Sequence, residues 1–135
     1  MREIKFKGKR VDNGEWVEGY HSKWKHFNGK CYKLVYVIED ATGCKQLIIP
    51  ETLSEYTGLD DENEIEIFEN DIVEFTNAPG LEDGIVEVYY DKERFRYCIK
   101  NDLTDIDEDL YCVTEPARVQ KIGNIFDNPE LLERN

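Results

Sequence analysis

Apolar and polar residues alternate with a period of two along most of this chain, and no stretch of convincing length carries the 3.6-residue period of a helix. A mostly β protein is expected. Near the N-terminus Ile4, Phe6 and Gly8 alternate with Lys5, Lys7 and Lys9, which predicts a strand turning one apolar face inward and one basic face outward. Asp12-Asn13-Gly14 suits the positive-φ turn of a hairpin into a strand over 15–20. Asn28-Gly29 separates a run over 21–27 from CYKLVYVIE at 31–39, which is apolar on both faces apart from Lys33 and reads as a central strand covered on both sides. Ala41-Thr42-Gly43 turns the chain into 46–49, and Pro50 ends that strand because it has no amide proton for the ladder. The first half is therefore a meander of about four strands.

The second half repeats this grammar. Ile65, Ile67 and residues 71–75 read as strand, 76–84 as a loop with one proline and two glycines, and 85–90 with 94–100 as paired strands. Segment 101–110 is acidic and reads as loop; strands are expected over 111–113 and 118–122. At the end Asn128 can cap, Pro129 fits a first helical position, and Leu131 with Leu132 can pin one or two helical turns to the sheet.

Composition fits a folded domain: 135 residues, 40% apolar and 12% aromatic, suit one compact unit over 1–135. Charge divides it into a basic meander over 1–50, net +4, and an acidic half over 51–135, net −17. Such asymmetry suits self-association between unlike surfaces or a charged partner, or basic and acidic strands facing one another within one molecule. No apolar run is long enough for a membrane span, and MREIKFKGKR lacks the apolar centre of a secretion signal, so a cytoplasmic protein with no membrane contact is expected. Cys31, Cys44, Cys98 and Cys112 form no CxxC pair and are expected as free thiols.

Three segments, MREIKFKGK, YTGLDDENEIEIFENDIV and IGNIFDNPELL, resemble the three signatures of the YopX family of bacteriophage and prophage proteins, and the likeness spans nearly the whole chain. The residues that carry it are Tyr56, Thr57, Gly58, Leu59, Asn70 and Asp71 in the middle and Gly123, Asn124 and Pro129 at the end. The family's middle motif usually reads YTGLKDKNGKEIYEGDIV, so Glu64 and Asn70 stand where it has glycine. Asn visits the left-handed region cheaply. Glu64 at a positive-φ position implies strain or a rearranged loop, and a rearranged loop is expected. The resemblance implies a small, β-rich, phage-encoded protein and supplies no catalytic residue. Asp71, just before a strand, is expected to accept amide protons released by the preceding turn. Similar turns start strands in SH3-like barrels, so the expected fold is a small, partly open β-barrel of antiparallel meanders with a short C-terminal helical turn.

Specific chemistry finds little support. Asp60, Asp61, Glu62 and Glu64 read as a solvated loop rather than acid–base groups. Asp105, Asp107 and Asp109 copy the first ligands of a calcium loop, but Leu110 takes the glycine position and Glu115 comes one residue early. His21, His26, Cys31 and Cys44 match no common zinc spacing, Ser22 and Ser54 lie in no nucleophile elbow, and no phosphate loop exists. No metal, no cofactor and no enzymatic activity are expected. Tyr20, Lys23, Trp24, Lys25 and Phe27 interleave bases with aromatics; with Lys5, Lys7 and Lys9, and with Arg94, Arg96 and Lys100, they are the candidate nucleic-acid contacts. Net charge −13 opposes that reading. Residues 51–75, with ten carboxylates and no base, suggest instead a mimic of a phosphate backbone. The expected role is a non-enzymatic, phage-encoded interaction module that works as a homo-oligomer and on an unknown phage or host protein, the alternative being a nucleic-acid binder or DNA mimic.

Overall fold

The computed structural model describes residues 4–76, 84–93, 96–99, 108–109 and 118–133. They are mostly strand, with no helix beyond two 3-10 turns. The chain divides into two compact units, Met1–Tyr56 and Thr57–Asn135.

The first unit holds β1 (Phe6–Lys9), β2 (Trp16–Phe27), β3 (Tyr32–Glu39), β4 (Lys45–Ile48), a 3-10 turn at Pro50–Thr52, and the start of β5 (Ser54–Asp60). The four-strand meander forms as expected, through turns at the three predicted sites, and β5 returns to pair with the free side of β1. An isolated bridge, Arg10↔Ile48, with Val11 N–H donating to Leu47 O and Ile49 N–H to Lys9 O, draws the first and last strands of the meander together. The sheet thus curls without a continuous closing ladder.

Three expectations need correction here. The strand expected over 15–20 begins at Trp16 and runs on through 21–27 as the twelve-residue β2. The alternation expected over 4–9 fails at two positions: Ile4, ahead of β1, is 61% exposed, and Lys7 is buried, its ammonium 4.8 Å from the centre of the Trp16 ring. A long aliphatic stem and an aromatic face make that burial tolerable for a cation. Strand β3 is central, but only Val37 and Ile38 are buried, and Tyr32, Lys33 and Leu34 are exposed. The cause is unequal strand length. β1 pairs with Trp16 to Gly19 and β4 with Tyr36 to Glu39, so no strand among the described residues flanks the far ends of β2 and β3.

The second unit holds the end of β5, β6 (Glu66–Phe68), β7 (Asp71–Thr76), β8 (Gly84–Asp91), β9 (Arg96–Ile99), β10 (Glu108–Asp109), β11 (Arg118–Asn124) and a 3-10 turn at Pro129–Glu133. β6 pairs with β5, and an antiparallel sheet runs β10-β9-β8-β7-β11. Ile67, Val73, Phe75, Val86, Val88, Tyr97, Ile99 and Val119 form its core. In β7 the exposed Glu74 between buried Val73 and Phe75 is the alternation read from sequence, and Ile72 is buried on the other face. Both sheets are open, with no closed barrel among the described residues, which agrees with the partly open β fold expected. The segment expected as loop over 101–110 contains the short strand β10, whose Glu108 and Asp109 pair with Ile99 and Cys98. Of the loop expected over 76–84, Thr76 and Gly84 belong to β7 and β8 and 77–83 lie outside the described residues, as do the strand over 111–113 and Arg94, Lys100, Asp105, Asp107, Leu110, Cys112 and Glu115.

Candidate interaction surface

The residues of the middle and C-terminal signatures are absorbed by the fold. Thr57 is buried and its hydroxyl donates to Ile67 O at 2.7 Å, tying β5 to β6 across Gly58 and Leu59. Tyr56, also buried, lies under the Lys5 ammonium. Asp61 holds the following turn: one carboxylate oxygen accepts the amides of Asn63 and Ile65 at 2.8 and 3.0 Å, and the other accepts that of Lys121 at 2.9 Å. Glu64 sits in that turn at φ 64°, so the backbone enters the left-handed region instead of avoiding it, and the expected rearrangement does not occur. Three hydrogen bonds to one buried carboxylate hold it there.

The second turn repeats the device. Asn70 takes φ 72°, its N–H donates to Val88 O, and its carbonyl accepts from Ile125. Asp71 is fully buried; it accepts the Phe68 amide at 2.7 Å, as expected of a strand-initiating carboxylate, and meets the Lys121 ammonium at 3.0 Å. In the C-terminal signature, buried Asn124 accepts the amides of Phe126 and Asp127. A Cβ on Gly123 would come within 2.5 Å of Asn128 Oδ1, so a larger residue there would displace the Asn128 side chain. Asn128 reaches back to the Asn124 amide at 3.3 Å rather than forward, and Pro129 opens the final turn as predicted. These side chains tie the two signatures to one another, with the carboxylates of Asp61 and Asp71 spent on backbone amides and on Lys121.

The other chemical candidates are equally engaged. Ser54 is buried and donates to Thr52 O; the Ser22 hydroxyl accepts the Trp24 indole N–H at 2.8 Å. The Asp40 carboxyl accepts the Thr42 hydroxyl and the amides of Thr42 and Cys44, and these bonds hold it below the usual carboxylate range. Cys31, Cys44 and Cys98 are free thiols. No metal-ligand cluster occurs among the described residues, and none of their helices is long and apolar enough to cross a membrane. His21 lies between the Phe6 and Tyr36 rings at 5.4 Å from each, with Nδ1 3.3 Å from Val37 O. Burial, aided by the nearby Lys23 charge and opposed by the Val37 bond, pushes its pKa below the ordinary 6.5.

What remains unabsorbed is the far half of the β2–β3 hairpin. There Trp24↔Val35, Lys25↔Leu34, His26↔Lys33 and Phe27↔Tyr32 pair only with each other, a two-stranded arm about 13 Å long. Trp24, Phe27, Tyr32 and Leu34 are each about half exposed or more, as are Tyr20 at its base and Leu47 on β4. Period two places Lys23 and Lys25 on one face with Phe27, Tyr32 and Leu34, and Trp24 on the other with Val35, Val37 and Leu47. The candidate contacts adjacent in sequence are thus divided between opposite faces. Lys45 stands 4.2 Å from the Trp24 ring centre and Lys23 5.2 Å from that of Tyr36. Lys9, like Lys7, lies over Trp16, at 5.6 Å, so the N-terminal lysines line an aromatic cluster rather than an open phosphate track. Tyr32, Leu34, Val35 and Leu47 were not apparent as surface residues from sequence; the available signal was a long two-sided apolar run beside strands too short to cover it.

A comparison with curated proteins returns no match. Among solved structures the chain is similar to protein EF1440 from Enterococcus faecalis, at 20% identity and a TM-score of 0.57, over 98% of this chain and 99% of that one, a likeness of fold. Residues 5–133 match the family described as YopX protein, and with nearly the whole sequence matched and its signatures forming the interlocked turns above, the chain belongs to the YopX family.

Proposed function

We propose that this chain is a non-enzymatic interaction module, phage- or prophage-encoded and acting in the cytoplasm of a bacterial host, that self-associates and contacts a phage or host protein. The observation that carries this reading is the β2–β3 arm: large apolar side chains stand exposed on both faces of a ribbon flanked by no further strand among the described residues. An isolated hairpin is marginal in water, and a clustered apolar surface of this kind is characteristic of protein contacts. The structural engagement of Asp61, Asp71 and Ser54 supports a non-catalytic role. Affinity purification of tagged protein from infected cells, with nuclease treatment and at low and high salt, tests it. A specific protein that survives nuclease, and is lost when Trp24 and Phe27 are replaced by Ser, is the expected result.

A second reading rests on charge. Residues 20–38 carry Lys23, Lys25, Lys30 and Lys33 and no carboxylate, which separates a basic, aromatic arm from an acidic chain. Stacking on Phe27 or Tyr32 beside those lysines suits single-stranded nucleic acid. Recovery of nucleic acid alone, lost steeply with salt, selects this reading over protein contact. Phosphate mimicry by residues 51–75 draws only on the carboxylates outside the fold, since Asp61 and Asp71 are buried. Displacement of DNA from a host protein tests it.

A further inference from the structure

On one face of the arm Trp24, Val35 and Leu47 surround a hollow of about 220 Å³ floored by buried Val37. Its rim carries Lys45 and His26 and no carboxylate. In the turn between β5 and β6 the opposite arrangement occurs. Ile65 is 48% exposed, the one large apolar side chain so exposed among the described residues of the second unit, and exposed Glu62 and Glu64 flank it with half-buried Glu66. The Asp61 carboxylate fixes the Ile65 amide, and Glu64 is held at positive φ, so this apolar knob is presented on a rigid turn.

We propose that the hollow on the β2–β3–β4 face of one copy receives the Ile65 turn of a second copy, an apolar knob on an acidic turn seated in an apolar cup with a basic rim. This rests on the reading of the chain as a self-associating module and names the two surfaces. The argument is complementarity of both kinds. Each surface exposes apolar area that gains by leaving water, and the charges around the two are opposite, which favours this pairing over hollow-to-hollow or knob-to-knob contact. Because the surfaces differ, the contact is heterologous: each copy keeps an unused knob and an unused hollow, and association continues into a ring or an open chain. The charged rims make it weaken with salt.

Sedimentation velocity of the full chain over a rising concentration series tests this with two substitutions. Leu47→Lys spoils the hollow and leaves the knob; Ile65→Asp spoils the knob and leaves the hollow. The wild type is expected to form species larger than 15.9 kDa, and each variant alone to associate at least tenfold more weakly. An equimolar mixture of the two variants then recovers a dimer and nothing larger, since only one competent knob and one competent hollow exist per pair. Both positions are about half exposed, so thermal melts at low concentration should match the wild type; should either variant misfold, Lys45→Glu and Glu62→Lys replace them, each alone associating weakly and their mixture restored to assemblies larger than a dimer, because both contacts are then charge-matched. A wild type that stays monomeric overturns self-docking, and if it still captures a phage or host protein the interaction-module reading survives. Oligomers insensitive to Ile65→Asp, or a mixture that fails to dimerise, keep self-association and overturn this pair of surfaces. A labelled single-stranded oligonucleotide that binds the monomer and is released by Lys45→Glu overturns the proposal in favour of nucleic acid as occupant of the arm.

Discussion

Glu64 offers a sharp test of how the turn between β5 and β6 is held. Its φ of 64° places a side-chain-bearing residue where the Cβ crowds the following carbonyl, a cost of roughly 1–2 kcal/mol. Glu64→Gly removes that cost, but glycine gives the unfolded chain more freedom, which takes back roughly 0.4–1 kcal/mol. The expected net stabilisation is about 0.5–1 kcal/mol, a rise in melting temperature of roughly 2–4 °C for a chain of this size. Charge confounds the comparison, because Glu62 and Glu66 lie close in sequence and loss of any carboxylate here relieves repulsion. Glu64→Ala separates the two effects: it removes the same charge and keeps the Cβ. Urea unfolding of all three proteins, at a concentration low enough to avoid association, should place Glu64→Gly above Glu64→Ala by about 1 kcal/mol. Equal midpoints, or alanine above glycine, would refute the claim that backbone strain is stored at this position and would leave charge as the whole effect.

Other outcomes follow from features at some distance from that turn. Asp71→Ala leaves the Lys121 ammonium and the Phe68 amide without their carboxylate, and should cost about 3 kcal/mol, the lower end for a broken buried pair because Lys121 is partly exposed; denaturant titration reads it. Gly19→Ala sets a Cβ 1.9 Å from Glu39 O, backbone that cannot move without opening the hairpin, so faster hydrogen exchange throughout 20–38 is expected. For His21 the folded pKa is below 6.5, so the unfolded chain binds the proton first as pH falls. Stability contributed by the neutral imidazole is complete above that value and declines as pH drops through 6.5 towards the folded pKa; His21→Phe should flatten this part of a melting-temperature profile.

Much of the β architecture was legible because alternation is a local property. The turns at Asn13-Gly14, Asn28-Gly29 and Thr42-Gly43 announce themselves through residues suited to positive φ, and Glu74 between Val73 and Phe75 states its exposed face directly. Asp71 was legible for the same reason, since its partner amide lies three residues away. Two misreadings came from information that is not local. Whether Tyr32 and Leu34 are covered depends on how far β1 and β4 extend beside their neighbours, and an apolar run looks the same in a core strand and on an exposed arm. Burial of Lys7 depends on Trp16, its diagonal neighbour across the β1–β2 ladder. Glu64 failed differently: propensity argued against positive φ, and Asp61, whose third hydrogen bond comes from a residue sixty positions away, overrides it.

That reach of sixty residues bears on how the chain is made. During synthesis the turn after β5 leaves the ribosome long before Lys121 exists, so Asp61 must wait, hydrated, with one of its carboxylate oxygens unclaimed, and Glu62 waits likewise for the carbonyl of Val119. In the first unit the wait is shorter and ends within the unit: the Lys9 amide is met by the Thr52 hydroxyl forty-three residues on. Staged folding on the ribosome is the expected consequence, with the basic meander able to close before β11 arrives to complete the acidic half.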